Sequence, residues 1–206
     1  MTSPHPIPDA PRDPAPASKP KRRNKREELL RKAAELIARQ GFDGTSMRDI
    51  AAAVDILPGS LYYHFASKEE MLTAIHARVV EEMTAKVQGA IAPAQTPWDR
   101  LEAAATAHLE GLLETGHLVT IISPNFSEGR EDLNATLKAH RDEYETMFKG
   151  FFDELDLPDG VNRALLRLQL LGALNWVPVW YDPKGRTTPR QIAQTFVASI
   201  RQGAGG

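Results

Sequence analysis

An all-α fold is predicted for this 206-residue chain, and three observations predict it. Apolar residues recur at helical spacing from about residue 24 to the C-terminus. Capping residues, prolines and glycines punctuate that periodicity into segments. No strict alternation survives for more than a few residues, and no internal repeat is present. In order, Leu30, Ala33, Ala34 and Ile37 mark one face of a first helix, with Asn24 and Glu27 spaced as a capping box and Gly41 as its stop. Thr45 or Ser46 caps a short helix, Met47–Val54. A turn at Asp55-Ile56-Leu57 leads to a second short helix, Pro58–His64, with proline at the tolerated first position. Ser67 and Glu70 open a long helix from Lys68 to about Gln88, with Leu72, Ile75, Val79, Met83 and Val87 on its apolar face. Pro93 and Pro97 interrupt it. Further helices are predicted over 98–114, 118–122, 131–155, 161–181 and 189–202, the last capped by Thr188-Pro189-Arg190-Gln191. Turns fall at Leu157-Pro158-Asp159-Gly160 and Asp182-Pro183-Lys184-Gly185.

Composition narrows the function. The absence of cysteine excludes a disulfide scaffold, a thiolate metal site and a cysteine nucleophile. No apolar run reaches the roughly 18 residues that a spanning helix needs, and the first residues lack the apolar core of a secretory signal, so a cytoplasmic protein without membrane contact is expected. Seven of the 15 prolines lie in residues 1–20, a stretch with little to bury, which reads as a disordered leader. It runs into a basic cluster of Lys19, Lys21, Arg22, Arg23, Lys25 and Arg26, either a solvated linker or an arm that neutralises phosphates. The net charge of −2 hides a division. Residues 19–68 carry 11 Lys and Arg against 6 Asp and Glu, a balance of +5, and residues 71–206 carry 13 against 17, a balance of −4. A basic N-terminal module on an acidic body is the electrostatic footprint of a DNA binder.

Two short helices joined by a tight turn and flanked by longer ones form a helix-turn-helix unit, whose second helix is held so that its N-terminal end enters a major groove. Gly59, Ser60, Tyr62, Tyr63 and His64 are candidates to face DNA. Leu61 and Phe65 read as the apolar seal of a three-helix core. A helix this short does not bury Tyr62, Tyr63 and His64 together, which favours the surface for them.

The run Thr45-Ser46-Met47-Arg48-Asp49-Ile50-Ala51-Ala52-Ala53-Val54, then Gly59-Ser60-Leu61-Tyr62-Tyr63-His64-Phe65, then Ser67-Lys68-Glu69-Glu70-Met71-Leu72, resembles the DNA-binding domain of TetR-family repressors. The resemblance covers about residues 25–75. It implies a mostly helical homodimer that binds a double-stranded operator until a small-molecule effector enters the C-terminal domain. It implies phosphate contacts from Thr45, Ser46, Tyr62, His64 and Lys68, and base contacts from Arg48, Leu57, Pro58, Gly59, Ser60 and Tyr63. The pair before Gly59 departs from the family pattern, which often has a polar residue and a lysine there. Leu57 offers a base edge only apolar contact, such as with a thymine methyl. The expected organisation is a leader over 1–23, a DNA-binding domain over 24–72 and an effector-binding and dimerisation domain over 73–206.

Residues 165–176 are apolar around most of a helix, which requires burial on more than one side. Together with Ile192, Phe196, Val197 and Ile200 they form either half of a four-helix dimer interface, the family's usual arrangement, or an internal core. The motif Asn175-Trp176-Val177-Pro178-Val179-Trp180-Tyr181-Asp182-Pro183 is similar to the branch of the family that regulates steroid and fatty-acid breakdown, whose effectors are typically acyl-CoA thioesters. Such a ligand needs apolar walls and cations. Phe126, Tyr144, Phe148, Phe151 and Trp176 are the candidate walls, and Arg130, Arg141, Arg163 and Arg167 the candidate cations; each is equally readable as core or solvated surface. His76, His108, His117 and His140 fall on different helices or faces without a zinc-type spacing. No nucleophile elbow, phosphate-cradling glycine loop or dinucleotide fingerprint is present, so neither an enzyme nor a cofactor is expected.

Overall fold

The computed structural model describes residues 20–115 and 130–204. Eight α-helices and no strands occur among them: α1 (Pro20–Gln40), α2 (Met47–Ala53), α3 (Pro58–Tyr62), α4 (Lys68–Ile91), α5 (Pro97–Thr115), α6 (Glu131–Asp153), α7 (Arg163–Trp180) and α8 (Pro189–Ala204). The all-α expectation therefore holds. The helix expected over 118–122, His117, and residues 1–19 of the leader lie outside the described residues.

The first helix begins earlier than expected, at Pro20 rather than after Asn24. Proline at the first helical position costs no hydrogen bond, and the lysines and arginines that follow are good helix formers, so the basic cluster is largely helical and Asn24 is interior. Gly41, with φ +78°, ends α1 as expected. Of the two possible caps for α2, Ser46 is the one used. Its hydroxyl accepts from the Asp49 amide at 3.2 Å, and the Asp49 carboxylate accepts from the Ser46 amide at 2.8 Å. The turn before α3 is closed by Asp55 in the left-handed region, φ 52°, a conformation that aspartate tolerates better than most residues. At α4 the expected box is shifted by one residue: Ser67 Oγ accepts from the Glu70 amide, while the Glu70 carboxylate reaches past it to the amide of Ala66. At α8 the box between Thr188 and Gln191 is complete, at 2.9 and 3.2 Å.

Two apolar cores result. The first joins α1 to α3 with the N-terminal two-thirds of α4 through Leu29, Ala33, Ile37, Phe42, Ile50, Leu61, Phe65, Met71, Leu72 and Ile75. The second joins the end of α4 to α5, α6, α7 and α8 through Val87, Leu101, Leu109, Phe148, Phe152, Leu170, Leu174, Val177 and Val197. The alanines of α5 let it pack closely on α4, and a Cβ at Gly111 would lie 2.4 Å from Met83 Sδ. No helix among the described residues is long and apolar enough to cross a membrane.

Leu61 is fully buried and is the residue through which the short α3 is anchored. Leu61→Ala should therefore cost about 2–5 kcal/mol of unfolding free energy, read by urea denaturation.

Candidate functional site

The face expected to meet DNA is built from a helix too short to stand alone. α3 spans five residues and is held by Leu61 beneath it. Everything else on it turns outward. Leu57 is 76% exposed and Tyr63 75%, Pro58, Gly59, Ser60 and Tyr62 are exposed, and His64 is half-buried with its ring edge-on to Tyr63. Ser46 and Arg48 are exposed at the start of α2. A Cβ added at Gly59 meets nothing within 4 Å, so no neighbour among the described residues requires a glycine there.

Two residues expected to touch phosphate are placed differently. Thr45 is 1% exposed. Its hydroxyl donates to the Gly41 carbonyl at 2.8 Å and its amide to Phe42. Lys68 Nζ donates to the carbonyls of Phe42 at 2.5 Å and Thr45 at 2.8 Å, and lies 4.2 Å from the centre of the Phe42 ring. The Thr45 side chain closes the α1–α2 turn on itself, and the Lys68 side chain ties that turn to the start of α4. Thr45 has no exposed donor, and Lys68 keeps one of its three.

The same turn is gripped from the body. Arg130, at the N-cap of α6, forms a two-pronged ion pair with Asp43, at 2.5 and 3.4 Å, and covers the Phe42 ring at 5.1 Å. The guanidinium holds the Asp43 carboxyl below its ordinary range. Arg130, expected as a candidate cation for a ligand, therefore joins the start of α6 to the α1–α2 turn and does not line the cavity between α4, α5, α6 and α7. Sequence spacing carried no sign of this pair, whose members are 87 residues apart.

Inside the body a cavity of about 130 Å³ opens between α4, α5, α6 and α7. Val79, Val80, Met83, Leu112 and Leu171 form its apolar surface, and Arg141, Tyr144, Glu145, His108 and Asn175 bring polar groups to it. Arg141 and Tyr144, expected to meet a ligand, both line this cavity. Phe148 and Phe151 are core residues, with Phe148 packed edge-on against His108. Trp176 is corrected outright: it is 63% exposed and faces away, because Leu171, Leu174 and Val177 occupy the inward side of α7. Arg163 caps the end of α6 by donating to the Phe152 and Leu155 carbonyls. Arg167 has its Nε buried without a hydrogen-bond partner among the described residues. Phe126 lies outside the described residues.

His108 and Asn175 were missed as site residues. His108 Nδ1 lies 2.8 Å from the Tyr144 hydroxyl and Nε2 lies 3.0 Å from Asn175 Oδ1. Because Oδ1 only accepts, the proton sits on Nε2, and Nδ1 accepts from the tyrosine. The signal was present: His108 stands one turn from Ala104 and Leu112 on an apolar face, where a histidine is buried and must be satisfied. Burial pulls its imidazole down to about 4. A second pair also meets, with His76 Nδ1 3.2 Å from His140 Nδ1 and the rings stacked. These two were expected on separate faces. No group of three or more metal-type ligands occurs among the described residues.

A short exposed reading helix anchored through a long helix to an α-helical body defines a helix-turn-helix transcription regulator. The chain belongs to the TetR family: residues 29–75 match the model of bacterial regulatory proteins of the tetR family, and residues 94–204 match the tetracyclin repressor-like C-terminal domain. It is 30% identical over 203 residues to the HTH-type transcriptional repressor KstR2 of Mycolicibacterium smegmatis, spanning 95% of this chain and 94% of that protein. The solved ketosteroid transcriptional regulator KstR2 of Mycobacterium tuberculosis is 25% identical and superposes with a TM-score of 0.70 over 87% of this chain and 94% of that one. AibR, solved in complex with isovaleryl coenzyme A and operator DNA, is 26% identical with a TM-score of 0.71 over 85% of this chain and 97% of its own.

Neutral His108 makes a pH prediction. Its value is depressed in the folded state from 6.5 to about 4, so the stabilisation is present above pH 6.5 and is lost as pH falls toward 4. Unfolding free energy should drop by about 3 kcal/mol over that interval beyond the loss shown by His108→Asn. Parallel pH profiles for the two proteins would remove histidine from the account.

Proposed function

We propose that the protein is an operator-binding transcriptional repressor, acting as a homodimer, whose DNA affinity falls when a small acyl thioester occupies the cavity of the body. The observation that carries the DNA reading is the outward set Leu57, Pro58, Gly59, Ser60, Tyr62 and Tyr63 on a helix whose only buried residue is Leu61. Monomeric proteins seldom leave so many large apolar and aromatic groups in water without a partner. Gly59, which no neighbour among the described residues demands, is explained by close approach of a DNA backbone or base edge. Ser46, Arg48, Tyr62 and His64 flank this set as phosphate or base contacts, and Thr45 and Lys68 hold the turn that positions them. The basic residues from Lys19 to Arg26 add a sequence-independent attraction. The DNA-reading unit thus runs to about residue 72, where α4 carries on into the effector and dimer unit.

The dimer reading rests on α7. Leu165, Leu168, Trp176, Val179 and Trp180 are each more than half exposed on the side opposite its core contacts. A second α7 and α8 would cover them and set two α3 helices about 34 Å apart, one turn of DNA. The effector reading rests on the cavity and on the isovaleryl coenzyme A that the AibR complex contains. Because α4 lines this cavity and also carries the first core, a ligand that fits better with α4 tilted shifts the dimer toward the wrong spacing.

Fluorescence anisotropy on the protein's own promoter fragment tests the assignment. The wild type should bind and be released by short acyl-CoA. Gly59→Ala should gain up to about 1 kcal/mol in stability from helix propensity, yet lose at least about tenfold in operator affinity. Undiminished binding by Gly59→Ala would move the reading face elsewhere.

Paired Trp176→Glu and Trp180→Glu substitutions should yield a folded monomer in sedimentation analysis. A dimer of undiminished stability would show that another surface joins the subunits.

A further inference from the structure

Arg130 stands where a helix gains least from an arginine. It is the N-cap residue of α6 and makes no side-chain cap hydrogen bond. An arginine has no acceptor to offer the open amides, and its charge sits at the positive end of the helix. Glu131 and Asp132, in the first turn, answer that dipole instead. A residue that breaks a local rule is expected to serve something farther away. The far partners are in the α1–α2 turn. The guanidinium holds both carboxylate oxygens of Asp43, lies over the Phe42 ring at 5.1 Å and is drawn by the charge of Glu69 on α4.

The turn it grips is stiff. Thr45 Oγ1 donates to the Gly41 carbonyl, and Lys68 Nζ donates to the carbonyls of Phe42 and Thr45. A Cβ at Gly44 would lie 2.4 Å from the Gln40 carbonyl oxygen, so the backbone there is closely packed. Asp43 stands three residues before Ser46, the N-cap of α2. The Ile56 amide donates to the Ala51 carbonyl at 3.0 Å and joins the end of α2 to the approach of α3. A pull on Asp43 therefore turns α2 and α3 as one block. The other end of the lever is α6, which brings Arg141 and Tyr144 to the cavity about 16 and 21 Å farther along its axis.

We propose that Arg130 is a positioning residue for operator reading: by gripping Asp43 and Phe42 it fixes the angle at which the body presents α2 and α3 to DNA. This rests on the reading of the chain as an operator binder and adds a residue that lies outside the reading face. A two-pronged guanidinium–carboxylate pair fixes direction as well as distance. Arg130 itself meets no base, and its contribution is to the discrimination between DNA sequences.

Fluorescence anisotropy of the full-length protein decides it, on the promoter fragment and on a shuffled duplex of the same composition. The proteins are the wild type, Arg130→Gln, Asp43→Asn and the double variant. The ratio of the two affinities is the readout, because charge alone moves both duplexes together whereas presentation of α3 moves the operator alone. Each single variant should lower the ratio by at least about fivefold, and the double variant no further than the worse single one. All should melt cooperatively near the wild type, since a largely exposed pair adds little stability. The salt slope of operator binding should be the same for Arg130→Gln as for the wild type. An unchanged ratio in either single variant overturns the proposal, as do additive losses in the double variant. A slope lower by about one, with equal weakening on both duplexes, also overturns it and makes Arg130 a phosphate contact. A wild type that binds both duplexes alike overturns the operator reading itself, and is told apart because it appears before any substitution is made.

Discussion

The structure depends on one constraint: α4 belongs to two cores at once. Met71, Leu72 and Ile75 at its start are packed among residues of α1, α2 and α3, and Val87 near its end is packed among residues of α5, α6 and α7. Packed interiors are dense and move as blocks, so a 24-residue helix fixed at both ends transmits displacement instead of absorbing it. Val79, Val80 and Met83 sit midway and line the cavity. A ligand there would touch the helix that also carries the first core.

A second tie runs in parallel. Phe42, in the turn between α1 and α2, lies between Lys68 from α4 and Arg130 from α6, and Arg130 also holds Asp43. The reading unit is thereby attached to the body at two points, one apolar and one ionic. Exposed ion pairs contribute little by themselves, about 0–1 kcal/mol, so the Arg130–Asp43 pair serves orientation more than stability. Thr45, expected at phosphate, is buried in the α1–α2 turn, and Lys68 spends two of its three donors on the carbonyls of that turn.

Much of the fold was legible in the sequence because local rules agreed with one another. Helical spacing, Ser46, Ser67 and Thr188 as caps, and Gly41 as a stop placed all eight described helices within a few residues of their observed ends, apart from the start of α1. That start was missed because the basic run after Pro20 has no apolar periodicity, although its residues favour helix. The outward set on α3 was legible for a related reason: a five-residue helix has one buried side, Leu61, and the rest must face out. The interior site was only half legible. Arg141 and Tyr144 were found by residue type, but His108 and Asn175 act through contacts 36 and 67 residues apart that no local spacing reveals. Trp176 misled because an aromatic residue on an apolar helix fits a pocket wall and an exposed face equally well until its neighbours are placed.

The central claim is that the cavity and the reading helix share α4 and so share a free energy. Thermodynamic linkage makes this reciprocal: an effector that weakens operator binding by some factor must itself be bound more weakly, by the same factor, when the operator is in place. The direct measurement is calorimetric titration of isovaleryl-CoA into the free protein and into the protein saturated with its operator. The account predicts an affinity lower in the operator complex by the factor seen in operator release. Equal affinity in the two states would contradict it, because cavity and reading helix would then be uncoupled.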